Sequence, residues 1–197
     1  MTEKPTYYDK RAEFWKHHFN TAKPYDDFIN ESDQDKAARW RETAERLPQL
    51  TPDQEERLQG WDRELNVLMY GGIWCGDCAR QGPMLKKLAN TAGDKVHLRI
   101  IDREASEELQ DELRILGALR VPMVVFLTED FWEVGRFGDR LLTVYRAKTS
   151  REIGRGQPQG VLSPRALEAE MTEWVDIFER MLTMVRLSPP LRRRHGD

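Results

Sequence analysis

Cysteine is scarce, with two residues in a chain of 197. They stand three positions apart as Cys75 and Cys78, so no framework of spaced disulfides can staple the fold. A surplus of either charge is missing too. Thirty-one basic residues stand against thirty-four acidic ones, a net of −3, which gives no reason to expect a nucleic-acid partner. Long apolar runs are absent. An uncharged run such as Val121 to Leu127 is far below the roughly 20 residues that a spanning helix needs, so no membrane partner is expected. The opening stretch MTEKPTYYDKRAEFW has no apolar segment before its first charges, unlike a secretory signal. The expectation is a cytoplasmic protein.

Hydrophobic residues make up 39% of the chain and charged residues 33%, enough for one core under a heavily charged surface. Residues 7 to 60 read as helices. Tyr8, Ala12, Trp15 and Phe19 recur at helical spacing, as do Ala37, Trp40, Ala44 and Leu47. Ser32 and Asp35 are set to cap the second of these, and Thr51-Pro52-Asp53-Gln54 opens a third that carries Leu58 and Trp61 inward. The pattern changes at Leu65, where Leu65 to Tyr70 is a short apolar run closed by Gly71-Gly72, as a buried parallel strand would be. A helix follows through Met84, Leu85, Leu88 and Ala92, then a strand at Val96–Ile101. Ala105, Leu109, Leu113 and Leu116 form a further helical stripe, and strands are expected at Pro122–Leu127 and Phe131–Phe137. Leu141 to Tyr145 fits a strand or a helix start, and Gly154, Gly156, Pro158 and Gly160 indicate a loop. Ser163-Pro164 opens a long helix through Leu167, Met171, Trp174, Phe178, Met181 and Val185.

The two cysteines sit at the turn between a strand and a helix. Backbone N–H groups point outward there and the helix dipole favours negative charge, so a thiolate at Cys75 is stabilised. Cys78, one turn inside, can attack a mixed disulfide formed on Cys75. A bare pair of this spacing also occurs in zinc sites, but zinc takes four ligands. His97 lies in a strand and His17-His18 point to different faces of a helix, so no metal is expected.

Trp74-Cys75-Gly76-Asp77-Cys78 matches the motif WCGPC at four of five positions, and Val121-Pro122 opens a strand forty-four residues after Cys78. With Gly135 in the next strand, these features resemble the thioredoxin superfamily over roughly residues 62 to 137 and the long helix. The resemblance implies an α/β fold of thioredoxin type with an N-terminal helical extension. It implies Cys75 as nucleophile, Cys78 as resolving thiol, Trp74 and Gly76 as support, and a cis Pro122 facing the sulfurs. The backbone of Val121 would pair with an extended substrate. There are departures. Met69 stands where the family carries a buried aspartate, and its lysine partner maps to about Leu98. Asp77 replaces the motif proline, as in a group of bacterial WCGDC proteins. The family's first strand has no expected counterpart.

The division expected is a helical extension over 1–60 packed on the core, a thioredoxin-like domain over 61–187, and a disordered basic tail over 188–197. The activity expected is thiol–disulfide exchange, as a cytoplasmic reductase of a protein or low-molecular-weight disulfide, recharged by a separate reductase and needing no cofactor. A non-catalytic interaction module of the same fold is the alternative, and a glutathione-linked or iron–sulfur-carrying variant a third. Asp77 reads either as a first-turn cap or as the proton acceptor for Cys78. Arg80, Lys86 and Lys87 read as solvating the outer helix face, and Arg120 as an exposed loop charge or as a cation flanking a substrate groove that attracts an acidic partner.

Overall fold

The computed structural model describes residues 7–156 and 164–197. Four helices come first: α1 (Ala12–Thr21), α2 (Tyr25–Glu31), α3 (Gln34–Arg46) and α4 (Pro52–Leu58), with a two-residue strand β1 (Lys23–Pro24) after the first. Next come β2 (Leu65–Gly71), α5 (Gly76–Ala92), β3 (Val96–Asp102), α6 (Glu107–Glu112), β4 (Met123–Thr128) and β5 (Glu133–Gly138). The helices α7 (Leu142–Ile153), α8 (Pro164–Leu187) and α9 (Pro189–His195) follow. The expected Ser163 start of α8, and Pro158 and Gly160, lie outside the described residues.

The sheet order is β1-β3-β2-β4-β5. β2 and β3 run parallel across the crossover helix α5, and β4 and β5 run antiparallel to their neighbours. Every residue of β2 is buried, as a central strand covered on both faces requires. Its alternation divides the core. Leu65, Val67 and Met69 join Phe126, Trp40, Trp174 and Phe178 on one face, under α2 to α5 and α8. Leu68 and Tyr70 join Trp15, Phe19, Ile101 and Leu109 on the other, under α1 and α6.

Several local expectations hold for the reasons the sequence suggested. Thr51 and Gln54 make a reciprocal capping box with Pro52 in the first turn of α4. Other readings are corrected. Asp33, not Ser32 or Asp35, caps α3 by accepting from the Asp35 and Lys36 amides, while Ser32 bonds back to the Phe28 carbonyl. The helical stripe to Leu116 stops early. α6 ends at Glu112, and Leu116 is 92% exposed at φ 51° in the turn that closes on Ala118. β5 starts two residues late because Thr128 Oγ1 accepts from the Asp130 and Trp132 amides and extends the hairpin turn. Leu141–Tyr145 resolves as the cap and first turn of α7. β1 pairs antiparallel with β3 through Lys23 and Pro24, a two-residue remnant where no first strand was expected.

The largest correction concerns 188–197. Instead of a disordered tail, Pro189–His195 is a helix. Leu191 is buried in the larger core, while Arg194 and His195 pair with Asp130. An isolated count of arginines gives no sign of one apolar anchor plus matching carboxylates on a distant hairpin. The N-terminal helices are tied to the same body. Trp40 packs on α5 so closely that a Cβ on Gly82 would come 2.0 Å from its ring. Trp15 is fully buried and Trp61 packs half-buried against the larger core. Lys86 pairs with Asp26, Lys87 donates to the Pro48 carbonyl, and Arg57 reaches Asp176 and Glu179 of α8. Lys86 and Lys87 therefore fasten α5 to the N-terminal helices rather than merely wetting its outer face.

Candidate active site

The turn between β2 and α5 ends at Cys75, the N-cap of α5. Its Sγ accepts a hydrogen bond from the Cys78 amide at 3.3 Å, the kind of bond that favours a thiolate at a helix start. Cys75 is 8% exposed and Cys78 fully buried, both as free thiols. The Cys75 thiol is lowered to about 7, chiefly by the hydrogen bond from the Cys78 side chain and then by the Cys78 and Asp77 amides; burial and the Asp77 charge oppose this. Burial pushes the Cys78 thiol up, and its hydrogen bond to Cys75 and the neighbouring charge push it further. The pair thus has one thiol that ionises near neutrality and one that stays protonated. Close approach requires the glycine that ends β2: a Cβ on Gly71 would stand 3.1 Å from Cys78 Sγ. Beneath the pair, Met69 is fully buried in the same apolar cluster, with Leu98 packed against it. No carboxylate comes from that strand.

The antiparallel register sets Tyr70 opposite Met123, which carries the preceding loop to the C-terminal end of β2. Val121–Pro122 is cis, as is Gly138–Asp139. The Val121 carbonyl lies 3.8 Å from Cys75 Sγ. Sequence-distant segments therefore meet at one sulfur. Trp74 is 42% exposed, with the Arg103 guanidinium 4.7 Å from its ring centroid. Gly76 opens α5 on its exposed side.

One of the cations read from sequence lies elsewhere than expected. Arg80 is buried rather than solvated, and grips Glu170 of α8 through Nε and Nη2. Burial raises the Glu170 carboxyl, against the pull of Arg80. The reason is that α5 is packed between the sheet, α3, α4 and α8, so its middle turns have no outer face. Arg120 turns to Asp139, at 3.1 Å. Asp77, the proton acceptor considered for Cys78, is engaged by Arg140 at 2.6 Å.

Sequence reasoning missed three contributors. Trp40 donates from its Nε1 to the Ile73 carbonyl at 3.1 Å, two residues before the nucleophile. Asp139 and Arg140 complete the rim. Nothing local marks them; a Gly-Asp-Arg step at the end of a strand reads as a turn. Among the described residues, no group of three or more His, Cys, Asp or Glu side chains is arranged to hold a metal ion. No described helix is long and apolar enough to cross a membrane. A cavity of about 680 Å³ lies at the other end of the sheet between Tyr7, Tyr8, Trp132, Met184 and Leu191, away from the sulfurs.

The thioredoxin family model matches residues 22–149. A thioredoxin of Malassezia sympodialis is 32% identical over 75 residues, covering 38% of this chain and 68% of that protein. Thioredoxin 2 of Plasmodium berghei (strain Anka) is 33% identical over 66 residues, 32% of this chain and 42% of that one. Among solved structures, a protein of unknown function from Pseudomonas aeruginosa superimposes with a TM-score of 0.59 at 23% identity, over 86% of this chain and 93% of its own. An HIV epitope-scaffold superimposes at 0.57 and 21% identity, over 92% and 98%. These two likenesses are of fold. The family match spans more than half of the sequence and includes the cysteine turn, the Val121-Pro122 loop and all five strands; the chain belongs to the thioredoxin family.

Proposed function

We propose that the chain is a thiol–disulfide oxidoreductase that reduces a protein or low-molecular-weight disulfide in the cytoplasm, using Cys75 and Cys78. The observation that carries the reading is the asymmetry of the pair: Cys75 at the cap of α5 with its sulfur held by the Cys78 amide, and Cys78 sealed beneath it.

The chemistry follows from that asymmetry. The Cys75 thiolate attacks one sulfur of the substrate disulfide, forming a mixed disulfide and releasing the other sulfur as a thiolate, which takes a proton from water. Cys78 then gives up its proton and attacks Cys75 Sγ. The Cys75–Cys78 disulfide forms and the second substrate sulfur leaves. Two electrons pass from the dithiol to the substrate. A separate reductase returns the pair to the dithiol, in keeping with a reducing compartment. The Val121 carbonyl, within reach of Cys75, offers the backbone contact that an extended substrate segment would use.

Turbidity from insulin-disulfide reduction by dithiothreitol, with wild type and Cys75→Ser side by side, tests the reading. Wild type should accelerate precipitation and Cys75→Ser should fall to the uncatalysed rate. Equal rates would make the chain an interaction module instead.

A further inference from the structure

Four charged side chains link the two walls of the site. Arg140 Nη2 holds the Asp77 carboxylate at 2.6 Å, and its Nη1 holds Asp139 at 3.0 Å. Asp139 also binds Arg120, the residue before Val121, and the Tyr145 hydroxyl of α7. The hub is itself fixed, since Asp139 is 3% exposed and its carbonyl accepts from Gln81 Nε2 at 3.0 Å. Leu141, on the other side of Arg140, is buried in the larger core. Arg140 thus stands on backbone anchored at both neighbours, with its guanidinium aimed at the first turn of α5.

That placement matters because of what Asp77 would otherwise do. Its carboxylate is two residues from the nucleophile, at a helix start whose value lies in favouring negative charge on sulfur. An unpaired carboxylate there opposes a second negative charge close by. We propose that Arg140 is a positioning residue of the dithiol site, which pins Asp77 and offsets part of its charge so that the Cys75 thiolate forms against a weakened opposing charge. The proposal rests on the reading of Cys75 as nucleophile, but on no substrate.

The other groups around the sulfur do not supply this function. Arg120 is spent on Asp139, and Arg103 lies over Trp74. Glu173 of α8 accepts from the Leu142 and Thr143 amides, and Arg80 is closed on Glu170. Hydrogen bonds from Tyr145 and Arg120 hold the Asp139 carboxyl below the usual range despite burial, and Tyr145 is raised by Asp139. Neither changes charge near neutrality. Glu170 is common to every variant below, so its titration drops out of the differences.

The test measures thiolate formation, not turnover. Iodoacetamide rates of the reduced chain are followed from pH 5 to 9.5 for wild type, Arg140→Gln, Arg140→Lys, Asp77→Asn and the double variant Asp77→Asn/Arg140→Gln. Arg140→Gln should move the rate midpoint up and slow labelling at pH 7 about two- to five-fold, with an unchanged plateau at high pH. Arg140→Lys and the double variant should stay near wild type. Asp77→Asn, a half-buried first-turn change outside the apolar core, should label at least as fast as wild type at pH 7. A wild-type midpoint in Arg140→Gln overturns the proposal, as does a double variant as slow as Arg140→Gln or an Asp77→Asn slower than wild type. If insulin reduction fails while these midpoints shift as stated, the activity is wrong and the role of Arg140 stands.

Discussion

One face of the sheet is thick and the other thin. Over the first lie α2, α3, α4, α5 and α8, with Trp40, Trp174, Phe126 and Phe178 fully buried between them. Over the second, among the described residues, lie α1 and the six-residue α6, with Trp15, Tyr70 and Leu109 beneath. The helix that carries both cysteines belongs wholly to the thick face. Arg80 pairs with Glu170 there and Trp40 Nε1 with the Ile73 carbonyl, while Arg80 Nη1 and Trp174 Nε1 are buried with no protein partner among the described residues. On the thin face, Trp15 Nε1, His18 Nε2 and the Tyr70 hydroxyl are buried with no protein partner among the described residues, and burial together with His17 lowers the His18 ring. α1 is also held at its rim. Arg11 pairs with Glu112, and Arg99 donates to the carbonyls at Phe19, Asn20 and Ala22. The face that carries the two cysteines is the more thickly covered of the two.

The largest expected effect is on the thick face. Glu170→Leu leaves the Arg80 guanidinium buried without its partner and should cost about 3–5 kcal/mol, measured by urea unfolding of the reduced chain. Arg80→Met/Glu170→Leu should recover most of that loss. A double variant as unstable as the single would mean that the pair itself, rather than its orphaned charge, supports α5. Next is Trp40→Phe, which loses ring volume and the bond to Ile73 together, at about 2–3 kcal/mol. The same change at Trp15 removes an indole N–H that has no partner, so only volume is lost, about 1 kcal/mol. Equal losses at Trp40 and Trp15 would break the comparison. The domain division yields a coarser form of it: a truncate beginning at Glu64 lacks α1 to α4, which cover part of both faces, and should be insoluble or far less stable, by solubility and melting. A truncate with unchanged melting temperature would contradict it.

How much of this was legible beforehand follows from distance along the chain. The strand, the cysteine turn and the α4 capping box were readable because their causes lie within a few residues: Gly71-Gly72 closing an apolar run, Cys75 at a cap, Thr51 three before Gln54. Val121-Pro122 was readable only through the family resemblance. Arg80 was misread because charge on a helix signals solvent unless a partner is known, and Glu170 lies ninety residues away. Arg140 and Asp77 pose the same problem across sixty-three positions. The basic end was misread because arginine content outweighed one leucine, although Leu191 decides where α9 docks. Leu116 failed in the opposite sense, an apolar residue in phase with a helix that had already ended.

The central claim, that fold and charge divide the pair into one reactive and one protected thiol, is tested most directly by where iodoacetamide goes. The reduced native chain is labelled at graded pH and both cysteines are quantified by peptide mass spectrometry. Cys75 is a group whose ionisation is lowered in the folded chain, so its labelling should rise with pH through a midpoint near 7 and then level off. Cys78 should stay unmodified throughout, because burial holds its proton. Labelling of Cys78 before Cys75, or a Cys75 midpoint at the ordinary thiol value of roughly 8.5, would contradict the account.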